Sequence, residues 1–519
     1  MDNEKVYKKL ILIENLSSMS IDEAKNYIGQ LVDISFDLKR EEGLKKAIKL
    51  NEELIKGDLP DKYKTILNYF MANAWSNLRI LTRDMKALWE WEQKEIEDEI
   101  LYLRKAIEGK GFSEIDTFMR CRILTNLGNI LSHIGRFIEA IEYWNKALEI
   151  DPSFSMAIGN KGYGLVYYAL SLYDLGHRNY ILKGAYSLLK NELDLELVHP
   201  EAQKSFRKKI KLIESMLPEK FLNKKYKFKK YSLGALKEEK DYRKWCLENK
   251  LFLNPLNDLV SFSIAAQDIF NLPNITTGID EGPYYIGFFN QMKQEYISAR
   301  YLYYEGINFN KPHFSDKDVY LYNTLDYPIY SLGIEKVKVS FRIVYSLFDK
   351  IGYFIKDYFN LKVKRNVYFR TLWYWNEKHN NELKEEFKDK ENWPLRGLFW
   401  LSKDLLSCPD YIKAIDPDAR EIAKIRNHLE HKYLKIHDTL WRDLSSDNDF
   451  VFNLKDSLAF SMYREEFELK TLKLIKLARA ALIYLSLAVH TEEHKRDQEK
   501  EAGKVMPRQL EKYDDNWKI

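Results

Sequence analysis

Arg426-Asn427-x-x-x-His431 is the stretch of this 519-residue chain best equipped for chemistry. An imidazole moves protons near neutral pH, and a guanidinium holds a phosphate oxygen as negative charge accumulates on it. Together they suit phosphodiester transfer, above all in RNA, whose 2′-hydroxyl supplies a nucleophile without a metal-activated water. With His428 and His437, three of the chain's ten histidines fall within ten positions. Helical His-x-x-His can bind a metal, but no carboxylate or cysteine completes a ligand set, and His437 points away from the other two. No metal and no cofactor are expected.

The element that must position these residues reads as a helix from Pro417 to Leu440. Ile422, Ile425, Leu429, Tyr433, Ile436 and Leu440 follow three-and-four spacing and form one apolar stripe facing a core. At about 100° per residue, Arg426 borders that stripe, while His431 lies roughly opposite it on a face shared with Asn427 and Asp438. His431 is thus directed at solvent, a cleft or another subunit. Arg426 and His431 diverge by about 140°, so one chain does not focus both on one phosphate. A two-fold pairing of such helices would gather two arginines and two histidines around one cleft, which makes a homodimer part of the reading.

The surroundings are those of a soluble helical protein. Hydrophobic residues make up 45% and charged residues 31%, and glycine (21) and proline (13) are scarce, as in a mostly helical chain with short connections. A net charge of +4 is too small to announce a nucleic-acid binder, so any basic surface has to be local. Cys121, Cys246 and Cys408 lie far apart, which indicates a reducing compartment and no disulfide framework. The charged start from Met1 to Leu10 gives no signal peptide, and no run of about 18 apolar residues suggests a membrane span. A cytoplasmic location follows. Phosphate loops, dinucleotide fingerprints, His-Glu-x-x-His and Gly-x-Ser-x-Gly are all absent.

Residues 1–215 read as stacked helix pairs. Leu124, Leu127-Gly128, Leu131, Gly135, Ala140, Trp144, Ala147 and Pro152 match the tetratricopeptide pattern, in which small residues let two helices approach and large ones fill the groove. Gly162 follows Gly128 by one 34-residue repeat, and Leu44 to Ile48 and Tyr102 to Ile107 resemble second helices of weaker repeats. Such arrays offer concave surfaces to a protein or nucleic-acid trigger. Residues 216–282 read as a linker and join. Within them Lys220 to Tyr231 alternates lysine with aromatics, either as a strand with one solvated face or as a weak RNA-binding track through Lys224, Lys225, Lys227, Lys229 and Lys230. Residues 283–490 regain helical periodicity, with candidates Tyr284–Tyr304, Ile334–Phe359, Pro394–Leu406, Pro417–Leu440 and Arg464–His490, and 491–519 form a charged, mobile tail.

Arg426-Asn427-His-Leu-Glu-His431 resembles the Arg-x(4–6)-His motif of the HEPN superfamily, including its polar residue after the arginine. The flanks Leu251 to Asp258, Lys293 to Arg300, Thr324 to Pro328, Phe348 to Ile351, Trp393 to Asp404 and Ile425 to Lys432 are similar to the LA2681-like HEPN subfamily, over roughly residues 246–490. The resemblance implies an all-α chain: a tetratricopeptide-like array followed by a dimerising HEPN-type bundle. It also implies a metal-independent endoribonuclease leaving 2′,3′-cyclic phosphate and 5′-hydroxyl ends, used as a toxin or an anti-phage effector and regulated through the repeats. On that basis Arg426 stabilises the scissile phosphate, His431 is the general acid or base, and Asn427 orients His431 or the RNA. His428 is a possible substrate contact, and Asp349 or Glu295 is the acidic residue supporting the arginine. The competing reading is a non-catalytic scaffold that binds a protein or RNA partner.

Overall fold

Helix follows helix along most of the chain in the structure, a computed structural model that describes residues 3–193, 200–226, 228–278, 280–309, 311–322, 324–363, 367–375, 382–388, 390–405, 414–438, 456–499 and 507–518. The first half contains α1 (Asn3–Leu10), α2 (Ile21–Asp37), α3 (Glu41–Ile55), α4 (Asp61–Thr82), α5 (Lys94–Glu108), α6 (Thr117–His133), α7 (Phe137–Ile150), α8 (Ser155–Ser171), α9 (Leu175–Leu193) and α10 (Pro200–Met216). Short α11 (Glu219–Asn223), α12 (Lys237–Glu248) and α13 (Leu256–Leu259) follow. The second half is built from α14 (Tyr284–Ile307), α15 (Leu332–Tyr358), α16 (Glu385–Lys388), α17 (Trp393–Ser402), α18 (Ala419–His431), strands β1 (Tyr433–His437) and β2 (Ala459–Tyr463), and α19 (Arg464–Glu499). Among the described residues no helix is long and apolar enough to cross a membrane.

The front half packs in sequential pairs, α4 on α5, α6 on α7 and α8 on α9. Trp144 shows why the spacing works. Its ring sits where a Cβ on Gly128 would meet it at 2.6 Å and one on Gly164 at 2.5 Å, so two glycines on neighbouring helices make the slot for one indole. Its Nε1 donates to Asn129 Oδ1 at 3.0 Å, which satisfies the polar atom carried into the core. In the back half α14 and α15 pair, and α19 packs against both and against α17.

The two halves share a core. One buried apolar cluster runs from Ile66 in α4 to Val489 in α19, while α1 to α4 enclose a smaller cluster of their own. Charged groups cross the same boundary. Arg104 on α5 and Arg136 before α7 both hold Asp404, at 2.6 Å each, and all three are buried. Arg104 also lies 3.4 Å from Asp416.

Three expectations change. The join is no linker over its central part, because Leu251 to Asp258 are all buried. Arg479 of α19 donates to the Phe252 carbonyl (2.6 Å) and to Asp258 (2.7 Å), and Arg300 of α14 pairs with Asp268 at 2.8 Å. The last helix does not end near His490 but continues to Glu499. Glu492 and Glu493 are buried there, accepting from Asn392 (2.9 Å) and Tyr358 (2.6 Å), so charge in that stretch marks pairing with the bundle and not departure from it. The helix expected over Pro417–Leu440 stops at His431 and gives way to β1. Lys227, Leu406, Cys408 and Leu440 lie outside the described residues.

Gly135 makes a close backbone contact between the halves. It takes φ +90°, and a Cβ there would lie 2.8 Å from the Gly397 nitrogen at the heart of α17. Gly135→Ala combines a disfavoured backbone with an overpacked seam. It should lower unfolding free energy in a denaturant titration by roughly 2–4 kcal/mol, whereas exposed Gly287→Ala should not.

Candidate active site

Helix α18 is set by contacts at both ends. At its start Asp418 makes no cap bond to the helix backbone. It instead takes Lys470 and Lys473 of α19 at 2.8 and 3.0 Å, while Glu421 takes Lys470 at 2.8 Å. Along its length Ala419, Ile422, Ile425 and Leu429 are buried against α15 and the strands, as the apolar stripe predicted. At its end Arg342 of α15 donates to the Leu429 carbonyl, and Lys432 leaves the helical region at φ −141°, ψ −140°. The chain then runs as β1, paired in parallel with β2 in register Tyr433↔Ala459 to His437↔Tyr463.

The strand explains how the helical phase misled. Leu434 and Ile436 alternate with polar neighbours, which is strand spacing, yet Tyr433 and Ile436 also continue the helical stripe. Tertiary pairing decides. Lys435, buried, reaches Asp326 at 2.8 Å and Asp456 at 2.9 Å, and His437 Nδ1 lies 2.9 Å from the Asp326 carbonyl. Ile329 N–H donates to the Ile436 carbonyl at 2.7 Å, so the loop carrying Thr324 to Pro328 is clasped along β1. Asp438, beyond the strand, therefore does not share a helical face with His431.

Arg426 is half-buried. Its guanidinium lies 5.8 Å from the centre of the Tyr345 ring on α15, and its Nη1 donates to Asn427 Oδ1 at 3.1 Å. Asn427 is thus engaged with the arginine and not with the histidine. Among the described residues no carboxylate lies within ion-pair distance of Arg426. An acidic group that feels the Arg426 charge is Asp349, one turn beyond Tyr345, whose carboxyl is pushed up by burial against the opposing pull of the Phe369 N–H (3.1 Å) and of the Arg426 charge. Glu295 is engaged elsewhere, paired with Lys350 across α14 and α15 and accepting from Gln291 at 3.0 Å. Of the two acidic candidates, Asp349 feels the Arg426 charge and Glu295 is paired with Lys350.

The three histidines part company. His428 Nδ1 lies 2.8 Å from the Lys424 carbonyl, with its ring 5.5 Å from Phe460 of β2. His437 is buried in β1, and burial lowers its pKa. His431, the last residue of α18, is exposed, and among the described residues nothing bonds its ring. They form no common ligand set. Glu108, Asp416 and Asp418 do converge, but the place a cation would take is held by the Lys473 ammonium, 3.7, 2.9 and 3.0 Å from them. Among the lysines of the join, Lys224, Lys225, Lys229 and Lys230 are exposed and distant in sequence from α18, and Lys227 is outside the described residues.

Sequence reasoning missed Arg342, Tyr345 and the Lys470–Lys473 pair. Tyr345 was the most accessible of these, since it stands four residues before Asp349 and so shares its helical face.

Residues 276–492 match the family model of LA2681-like HEPN, and residues 121–154 match that of the tetratricopeptide repeat. No curated protein and no solved structure matches the chain.

The two acidic candidates separate by substitution. Asp349→Ala strips the partner from the Phe369 N–H and should cost about 1–3 kcal/mol in thermal or denaturant unfolding. Glu295→Ala breaks only a half-exposed pair with Lys350 and should cost less than about 1 kcal/mol.

Proposed function

We propose that this protein, which matches the LA2681-like HEPN family model at 276–492 behind a tetratricopeptide repeat at 121–154, is a metal-independent endoribonuclease working as a symmetric dimer. HEPN domains are usually nucleases, and a toxin or anti-phage defence role regulated through the repeat half fits such a domain. The observation that carries the reading is a guanidinium without a carboxylate partner among the described residues and an exposed imidazole, both in the last two turns of one helix. Arg426 is steadied by Tyr345 and Asn427 and, among the described residues, faces no carboxylate at pairing distance, which leaves its charge for a phosphate. His431 is exposed at the helix end, where a substrate or a second copy of the helix can reach it.

In this mechanism Arg426 binds a non-bridging oxygen of the scissile phosphate and stabilises the charge that grows there. The 2′-hydroxyl attacks phosphorus while one His431 takes its proton. The bond to the 5′-oxygen breaks as the second copy's imidazole gives that oxygen a proton. The products are a 2′,3′-cyclic phosphate and a 5′-hydroxyl, and no metal enters. Asp349, whose carboxyl is pushed up by burial, lines the arginine's side of the cleft and accepts from the Phe369 N–H there. The divergence of Arg426 and His431 along one helix makes the second copy necessary.

RNA should be cut in the presence of EDTA, with cyclic phosphate ends found by end sequencing. Arg426→Ala and His431→Ala should each lower the rate by at least about 10²-fold while leaving the unfolding midpoint in place. Wild-type rates in either variant would refute the assignment. Binding without any product in the unaltered protein would favour the scaffold reading.

A further inference from the structure

Residues 203–230 hold eleven lysines and arginines against two glutamates, a local net charge of +9 in a chain whose total is +4. The remainder of the chain is therefore net −5, so the positive charge of the protein is concentrated at one place. Part of it is ordered into a stripe. Lys204, Arg207, Lys208 and Lys211 stand at i, i+3, i+4 and i+7 on α10, all exposed and all on one face. The opposite face carries Phe206, Ile210 and Ile213, buried, and Phe206 packs so closely on α8 that a Cβ on Gly159 would meet its ring at 2.6 Å. The apolar face is used up in holding the helix, and the cationic face is left outward.

The stretch after α10 follows the same logic. Lys183 of α9, buried, donates to the Phe221 carbonyl at 2.7 Å and also to that of Lys224, which pins the backbone. Phe228 turns inward on Tyr180 with ring centres 4.6 Å apart, and Tyr226 stacks on Phe228 at 5.5 Å. Lys224, Lys225, Lys229 and Lys230 are exposed. Among the described residues none of these eight cations is in an ion pair. Beside the stripe Lys209 lies over Tyr167, 4.1 Å from the ring centre, and Tyr167 is itself 38% exposed.

We infer that α10 and the exposed Lys224, Lys225, Lys229 and Lys230, on elements seated on α9, form an RNA-holding face that tracks the phosphates of a single strand. It rests on the ribonuclease reading for the identity of the polyanion and adds a second contact away from Arg426 and His431. The stripe alone covers about 10 Å of helix, and a single strand carries one phosphate per roughly 3.4 Å when stacked. Several phosphates therefore fall within its reach, more than a small anion would need. An anionic membrane is the weaker partner, because the apolar face that would insert is buried in the core.

The test uses the full-length protein with the four α10 cations replaced, Lys204→Gln, Arg207→Gln, Lys208→Gln and Lys211→Gln. The probe is a fluorescent single-stranded 2′-O-methyl RNA, which lacks the nucleophile and stays intact. In anisotropy titrations across salt concentrations, the slope of log affinity against log salt should fall by about 3, and low-salt affinity should fall at least tenfold. On cleavable RNA the variant should need more substrate but reach the same maximal rate. An unchanged slope overturns the proposal. So does a variant that keeps RNA affinity but loses binding to phosphatidylserine vesicles or to polyglutamate. If the unaltered protein cuts no RNA yet shows the slope change, the face stands and the nuclease reading falls.

Discussion

Asp404 is the point on which the two halves of the molecule turn. It is buried, and two guanidiniums from the front half, Arg104 and Arg136, reach its two oxygens at 2.6 Å. The paired charges hold its carboxyl far below the usual range despite burial. Such a cluster contributes little net stability when complete, but losing one member strands a charge away from water at a cost of about 3–5 kcal/mol. Its value lies in register. Arg136 also takes Glu139, Tyr484 of α19 donates to Glu139, and Arg104 extends the set to Asp416. Two residues further on, Asp418 opens α18. The helix bearing Arg426 is therefore placed partly by the repeat helices.

Lys470 and Lys473 carry that placement onward. They tie Asp416, Asp418 and Glu421 to α19, and Lys473 comes within 3.7 Å of Glu108 at the end of α5. A contiguous set of ion pairs thus links a repeat helix, the longest helix of the bundle and the first turn of α18. The far end of α18 is held differently, by Arg342 on the Leu429 carbonyl and by the β1–β2 pair. Both ends are fixed, and the exposed imidazole lies just before the second fixed point.

Much of this was legible from residue spacing. The slot for Trp144, the buried stripe Ile422–Ile425–Leu429 and the outward direction of His431 all follow from helical phase, because helices of this length bury one face and leave the other wet. What stayed hidden depends on partners remote in sequence. Tyr433 and Ile436 fit two periods, and only Asp326, more than a hundred residues upstream, selects the strand by neutralising Lys435. Glu492 and Glu493 look like a solvated helix end until Asn392 and Tyr358 are seen to meet them. Asp349 and Glu295 were indistinguishable by type, and what parts them is which cation lies across the groove.

The shared core also bears on how such a chain can be inherited. Val489 and Ile66 belong to one buried cluster, Arg479 is roofed by the 252–258 turn, and Gly135 abuts Gly397 with no room for a methyl group. Neither half has a finished surface where it meets the other. A recombination event that swapped one repeat array for another would expose apolar side chains and strand buried charges on both sides of the seam. The front and back halves of this protein are therefore bound to diversify together, by substitution within a common interior and not by exchange of modules.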